Sequence, residues 1–375
     1  MYKFMHILKR IPNYASLCFP IIRMYRENKL CNIDHTNDLV RKEYKRYKKR
    51  KPPPDFSNVI DFNEPARFQD YIERVHLDLV DFNNEQFCSI GLKHPKEWNI
   101  YQLKTCPGFI VVTNPFVSYG AQSYWVKQTL TNYTKGPYAN NLDMLMKLDK
   151  EKTMWQISHE KSVDNTFINQ LRWVHMGYHF DYNTVDYKAK QYFGFPDDLA
   201  KLTETIAKVF NFSDYFAETG IVNYYPEGSS MGGHTDHYEE ELRQPLISYS
   251  FGQSAVYLIG GNTRDIKPEA IWVRSGDFML MTGPSRTAFH AVPCILAKPV
   301  KTGPEDIGSC PLVTHGNKTN EQDNFLHCTS THEHSHMWKN EMDGDWEEFS
   351  QYLSNTRINI NIRQVHKHED TKENS

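Results

Sequence analysis

The chain has 375 residues, 39% hydrophobic and 24% charged, an ordinary balance for a globular protein. This composition excludes a collagen-like, a wholly disordered or a multi-spanning membrane protein, and the length allows one large core with extensions or about two or three domains. Forty-three Lys and Arg against 46 Asp and Glu leave a formal charge of −3, which as a mean argues against a polyanion binder.

The mean conceals an asymmetry. Residues 1–54 hold fourteen Lys/Arg and four acids, a local excess of ten that leaves −13 on residues 55–375. Within them the first 26 residues lack acids and interleave Lys3, Lys9 and Arg10 with Phe4, Ile7 and Leu8. Such a start is compatible with mitochondrial targeting, although it is poor in Ser and Arg. No apolar run there approaches the ~20 residues that span a bilayer, so no membrane partner is expected. The densest basic block, Arg41–Lys51, ends at Pro52-Pro53-Pro54, which reads as a stiff linker. It suits phosphates, import receptors or acidic lipid, or else forms a solvated helical face. Seven scattered cysteines without a Cys-x-x-Cys pair suggest reduced thiols in the cytosol, nucleus or mitochondrial matrix.

Beyond the linker, Gly108–Val112 reads as a buried strand bounded by Pro107 and Pro115. Trp125–Tyr133 has the pattern of an amphipathic helix. Residues 170–195 are crowded with aromatics, and Pro196-Asp197-Asp198 then opens a helix to about Phe210, with Leu199, Leu202, Ile206 and Val209 on one face. From Ile221 the pattern changes to short strands at Ile221–Tyr225, Leu246–Phe251, Ala255–Ile259, Ala270–Val273, Asp277–Met281 and Thr356–Val365. Short strands with regular turns predict a β-sandwich or barrel, giving a mainly β, α+β protein. A polar, His-rich stretch at 297–340 reads as a loop insertion, and the tail from His366 is polar. In that insertion His315, His327, Cys328, His332, His334 and His336 suggest either a zinc site or, better matched by their irregular spacing, a solvated loop.

Three patterns carry chemistry. In His234-Thr235-Asp236, residues two apart share one face of a strand and can address one ion. His290 is the best third ligand. Two His and one carboxylate with open opposite positions form the facial triad of non-haem Fe(II) oxygenases. Alone, His-x-Asp is a weak signal in a chain with 17 His. Second, Arg357-Ile358-Asn359-Ile360-Asn361-Ile362-Arg363 alternates with period two. It is either a half-buried strand with a solvated face or the polar lining of a barrel that holds a dicarboxylate, for which Arg is suited by its planar fork. At about 3.3 Å per residue, Arg357 and Arg363 lie roughly 20 Å apart along the strand and cannot both grip one small carboxylate unless it bends or they reach toward each other. Third, Asn223-Tyr224-Tyr225 offers an amide and a phenol to the same anion.

Asn223-x-Tyr225, His234-x-Asp236, His290 and Arg357-x5-Arg363, in that order, are similar to the signature of the AlkB family of Fe(II)- and 2-oxoglutarate-dependent dioxygenases. Pro107–Ile110, Tyr124–Gln128, Leu171–Val174, Gly177–His179, Gly228–Asp236 and Ser248–Ala255 support the likeness, which covers residues 38–365 apart from the 297–340 insertion. The resemblance implies a double-stranded β-helix (jelly roll) core over 216–366, preceded by an extension and substrate lid over 55–215, while charge and polarity mark a helical, basic arm at 1–54 and a disordered tail at 367–375. It implies His234, Asp236 and His290 as iron ligands, with 2-oxoglutarate and O2 as co-substrates. Arg357 and Tyr225 would hold the distal carboxylate, while Asn223, Asn359 and Arg363 would attend the co-substrate elsewhere, the last two at the iron-proximal end. Trp155, Tyr178, His179, Phe180 and Asp181 resemble the substrate-binding lid.

The activity implied is oxidative demethylation or hydroxylation of methylated bases, with formaldehyde released from methyl groups on nitrogen. The expected partner is nucleic acid, tRNA or DNA, presented unpaired or flipped so that the base reaches the metal. A histone substrate or a catalytically inactive nucleic-acid-binding protein are the alternatives. A monomer in the mitochondrion, nucleus or cytoplasm is expected.

Overall fold

The computed structural model describes residues 37–77, 82–160, 163, 166–181, 184, 186–296, 300–301, 306–307 and 346–368. The acid-free start, the histidines of the 297–340 insertion and the last residues of the tail lie outside them.

The basic block folds as helix α1 (Leu39–Lys48) because Asp38 caps it, accepting from the Arg41 amide at 2.8 Å, and because Lys45, Arg46 and Lys48 fall in the last turn, where the helix dipole favours cations. Val40, Glu43 and Tyr47 face inward, leaving Arg41, Lys42, Lys45 and Arg46 in solvent. There follow β1 (Ile72–Arg74), α2 (Asn84–Cys88), β2 (Asn99–Leu103), β3 (Phe109–Thr113), α3 (Tyr119–Leu130), β4 (Ala139–Asn140), α4 (Met154–Ser158), β5 (Trp173–Asp181), β6 (Asp186–Tyr192) and α5 (Asp197–Val209). Next come β7 (Thr219–Pro226), β8 (Met231–His234), β9 (Leu246–Gly252), β10 (Ala255–Ile259), β11 (Glu269–Val273), β12 (Phe278–Met281) and β13 (His290–Ile295). Short β14 (Val300–Lys301) and β15 (Asp306–Ile307) precede α6 (Trp346–Leu353) and β16 (Thr356–Arg363).

The α3 helix begins six residues before the predicted start at Trp125 and ends at Leu130, with a 3-10 turn over Asn132–Thr134. Ser118 caps it, accepting from the Ala121 amide at 3.1 Å. Its amphipathic pattern is faint because Gly120, Ala121, Trp125, Val126 and Leu130 are buried on more than one side.

One ten-stranded sheet runs β1-β2-β3-β12-β9-β16-β7-β5-β4, with β6 beside β5, and a four-stranded sheet runs β11-β10-β13-β8. The pairings within both are antiparallel, which gives a mainly β, α+β architecture. The large sheet takes strands from both sides of residue 216. β16 lies centrally, between β7 and β9. Its Ile358, Ile360 and Ile362 pack on the outer face with Trp125 of α3, Leu202 of α5 and Phe349 of α6. Each isoleucine so buried contributes about 1.5–3 kcal/mol. On the inner face, Tyr225, Met279 and Met281 of the large sheet pack with Tyr257, Ile259 and Val292 of the small one. Alternation therefore turns Arg357, Asn359 and Arg363 toward the space between the sheets.

Cys106 and Cys294 are free, but Cys88 is disulfide-bonded, which departs from the expectation of reduced thiols throughout. Among the described residues no helix is long and apolar enough to cross a membrane.

Candidate active site

His234 ends β8 and His290 begins β13, and the two are direct partners in the ladder. Their ring centroids are 4.3 Å apart. The ligand atoms of His234, Asp236 and His290 all lie within 4.8 Å of one another. Each histidine donates its Nδ1 proton to the carbonyl two residues earlier, His234 to Gly232 at 2.9 Å and His290 to Ala288 at 3.0 Å. That fixes the tautomer and leaves both Nε2 lone pairs for a metal.

Asp236 is not held by strand alternation, because β8 stops at His234. Two arginines hold it instead. Arg363 Nη2 donates to its Oδ2 at 2.7 Å, and Arg286 Nη1 donates to its backbone carbonyl at 2.7 Å. Burial alone would raise the Asp236 carboxyl, but Arg363, His290, His234 and Arg286 outweigh it and keep the group well below the usual carboxylate range. Burial, with His234 beside it, pushes the His290 imidazole down to about 4 against the pull of Asp236. At neutral pH Asp236 is therefore a carboxylate and His290 a neutral imidazole, and with His234 they make the donor set of a facial Fe(II) site.

The other end of the polar face has a different character. Arg357 is 1% exposed and its Nη2 donates to the Ser250 hydroxyl at 2.7 Å. Its Nε and Nη1 are buried with no hydrogen-bond partner. The guanidinium lies 5.4 Å from the centre of the Tyr225 ring. Burial lowers its pKa, opposed by Tyr225 and Tyr257, and no carboxylate neutralises it among the described residues. A buried cation without a counter-ion is costly, so this end fits an anionic ligand such as the distal carboxylate of 2-oxoglutarate. Burial raises the Tyr225 phenol to about 12, so it stays a protonated donor. Asn359 sits opposite Asn223 and Ser250 and donates to the Ser248 hydroxyl at 2.8 Å.

The lid residues divide. Tyr178, His179, Phe180 and Asp181 lie together on β5, paired with β6. Tyr178 packs on Tyr192 and His366, His179 on His175 and Phe193, and Phe180 on Tyr187 and Tyr238. Tyr187 connects this hairpin to the triad, accepting from Arg363 at 3.2 Å and donating to Glu239 at 3.1 Å. The structure does not bring Trp155 to these residues. It sits on α4 and stacks on Phe349 of α6 at 4.2 Å and 12°, among the side chains covering the outer face.

Sequence reasoning missed several participants. Ser248 and Ser250 alternate on β9 as Asn223 and Tyr225 do on β7, a period-two signal that was present in the sequence. Glu239, Arg286 and Tyr187 form a buried ring with Arg363, in which Arg286 meets Glu239 at 3.1 Å. No local pattern marks that ring.

Residues 122–363 match the family described as the 2OG-Fe(II) oxygenase superfamily. The chain is 34% identical over 343 residues to the nucleic acid dioxygenase ALKBH1 of Homo sapiens, covering 88% of this chain and 84% of that one. It is 28% identical over 359 residues to the DNA N(6)-methyladenine demethylase ALKBH1A of Arabidopsis thaliana, covering 86% and 91%. It is 33% identical over 285 residues to the tRNA demethylase abh1 of Schizosaccharomyces pombe, covering 71% and 87%. The chain belongs to the AlkB family within that superfamily, a dioxygenase dependent on Fe(II) and 2-oxoglutarate.

Proposed function

We propose that this protein oxidises methyl groups on bases of tRNA or DNA, and that His234, Asp236 and His290 hold its iron. The observation that carries the reading is that β16 meets this triad at one end, through Arg363 and Asp236, and carries the buried, partner-poor Arg357 at the other. Arg357 and Tyr225 hold the distal carboxylate of 2-oxoglutarate, while Asn223, Asn359 and Arg363 order its surroundings. Bound Fe(II) supplies the activation of O2. In the overall reaction 2-oxoglutarate and O2 give succinate and CO2, and one oxygen atom enters the substrate methyl group. A hydroxymethyl on nitrogen then leaves as formaldehyde and returns the proton to the base.

The nucleic-acid assignment draws on the names of the relatives and on two features of this chain. Helix α1 packs on β8, which ends on His234, through Val40 and Tyr44, and the cations on its solvent side suit a phosphate backbone. The aromatics of the β5–β6 hairpin suit stacking of an extruded base, at about 1–3 kcal/mol per base. We read the two facing sheets as a double-stranded β-helix, with residues 55–215 as extension and lid. The basic start leads us to place the protein in the mitochondrion or nucleus.

Succinate released from 2-oxoglutarate is the test. Methylated tRNA or DNA is expected to stimulate it in the wild type, and Asp236→Ala to abolish it. Stimulation by a methylated histone peptide alone favours a protein demethylase. No succinate with any methylated substrate indicates an inactive binding protein.

A further inference from the structure

Arg264, in the loop between β10 and β11, makes contacts that converge on the metal site from behind. Its backbone carbonyl accepts from the Leu39 and Val40 amides at 2.9 and 3.2 Å, at the start of α1. Its Nε donates to Asp38 Oδ2 at 2.8 Å, the same carboxylate that caps the helix. Its Nη1 donates to the Gly233 carbonyl at 3.3 Å, and its guanidinium lies 5.1 Å from the centre of the Phe289 ring. Gly233 and Phe289 immediately precede His234 and His290. The same loop is fastened to Phe289 by the main chain: the Gly260 amide donates to the Phe289 carbonyl at 2.8 Å, and the Phe289 amide donates to Gly261 at 2.9 Å.

The helix is fitted to this clamp. A β-carbon on Gly233 would lie 2.5 Å from Val40 Cγ1, so helix and strand touch where only glycine leaves room. Tyr44 shares a hydrogen bond of 2.9 Å with the Ser230 hydroxyl just before β8. Asp38 is nearly buried, with 5% of its side chain exposed, so the ion pair is shielded more than a surface pair.

We propose that Arg264 is a positioning residue for the iron site: it ties α1 to the residues preceding both metal histidines, so that the basic helix is part of the metal scaffold. This rests on the reading of the triad as the iron site. Groups that orient ligands from outside commonly change metal affinity by 10–100-fold when removed. Arg264 acts one residue away from each ligand, so the lower end of that range is expected.

The test is anaerobic titration of the full-length protein with Fe(II) alone, repeated with Co(II), whose visible absorption reports ligand geometry. Arg264→Ala is expected to lower the thermal midpoint, since it leaves Asp38 unpaired, and, under conditions where it stays folded, to weaken Fe(II) binding about tenfold and shift the Co(II) bands. Asp38→Asn keeps the helix cap, since Asn caps as well as Asp, but loses the ion pair, and is expected to weaken binding about threefold. Should Arg264→Ala fail to fold, Arg264→Lys replaces it, keeping the charge and losing the fork. Fe(II) affinity and Co(II) spectrum equal to wild type in these variants overturn the proposal, as does a loss of affinity that tracks the unfolded fraction. If the wild type itself binds no Fe(II), or His290→Ala binds it equally well, the assignment of the triad fails instead.

Discussion

Arg363 and Asp236 are joined by a charged hydrogen bond of 2.7 Å, although 127 residues separate them in sequence. This bond connects the central strand of the large sheet to the loop beyond β8, and so brings the carboxylate to the two histidines. It also settles how the two arginines of β16 divide their work. Arg363 pairs with the carboxylates of Asp236 and Glu239, whereas Arg357, at the other end of the face, has no carboxylate partner among the described residues and keeps both Nε and Nη1 unpartnered.

Removing Arg363 is therefore expected to cost both stability and metal binding. Arg363→Ala leaves Asp236 and Glu239 buried near one another, with Arg286 the remaining cation of the ring. Breaking a buried pair by removing one partner typically costs about 3–5 kcal/mol. Urea unfolding should show a lower midpoint with an unchanged slope, and Fe(II) titration a weaker site. An unchanged midpoint would mean that the ring is not a unit of stability.

Arg357 is expected to behave in the opposite way. Arg357→Leu removes a buried charge that lacks a counter-ion, so the folding midpoint should hold or rise. The 2-oxoglutarate affinity should fall by about 10–100-fold, the value of a charged hydrogen bond of ~1.5–3 kcal/mol. Fe(II) binding measured without 2-oxoglutarate should not change. A variant that loses Fe(II) and 2-oxoglutarate binding together would contradict the division between the two ends of the face.

Local periodicity made much of this legible in the sequence. The alternation of β16 and the spacing of His234 and Asp236 depend on a few neighbouring residues. Non-local partners were not legible. Asp236 is set by Arg363 and Arg286, Arg357 by register with β7 and β9, and α1 by Arg264, all across long chain separations. The position of Trp155, stacked on Phe349 away from Tyr178–Asp181, was not legible because an aromatic residue declares burial without declaring which face of the sheet it covers. The α3 boundary shifted because a helix buried on several sides loses its 3.6-residue stripe.

The β5–β6 hairpin depends on Gly177, which has φ of +74° and approaches the Glu218 carbonyl so closely that a β-carbon would collide with it. Gly177→Ala combines a left-handed backbone with a clash against main chain, an expected cost of about 1–3 kcal/mol or more. The damage should centre on the hairpin carrying Tyr178, His179 and Phe180. Binding of methylated nucleic acid should weaken more than binding of Fe(II) or 2-oxoglutarate. Equal loss of all three would show that the hairpin is not a separable recognition element.

Asp277 supplies a pH signature away from the metal. It is 5% exposed, and burial, with Asp61 adding and the Arg274 backbone and charge opposing, pushes its carboxyl up to about 7. Because the folded-state value exceeds the unfolded value of about 3.9, the folded protein binds more protons between them. Asp277 thus disfavours folding progressively as pH rises from about 4 to 7, and the penalty is constant above that. Asp277→Asn removes the charge and keeps an acceptor for the Arg274 amide, which Asp277 now receives at 2.8 Å. The variant should be more stable than wild type by about 1–3 kcal/mol at pH 8. The gain should vanish near pH 4, while other carboxylates titrate equally in both proteins and cancel in the difference. Urea midpoints compared at both pH values decide it: an asparagine variant no more stable at pH 8 would mean that Asp277 is ionised in the folded protein without penalty.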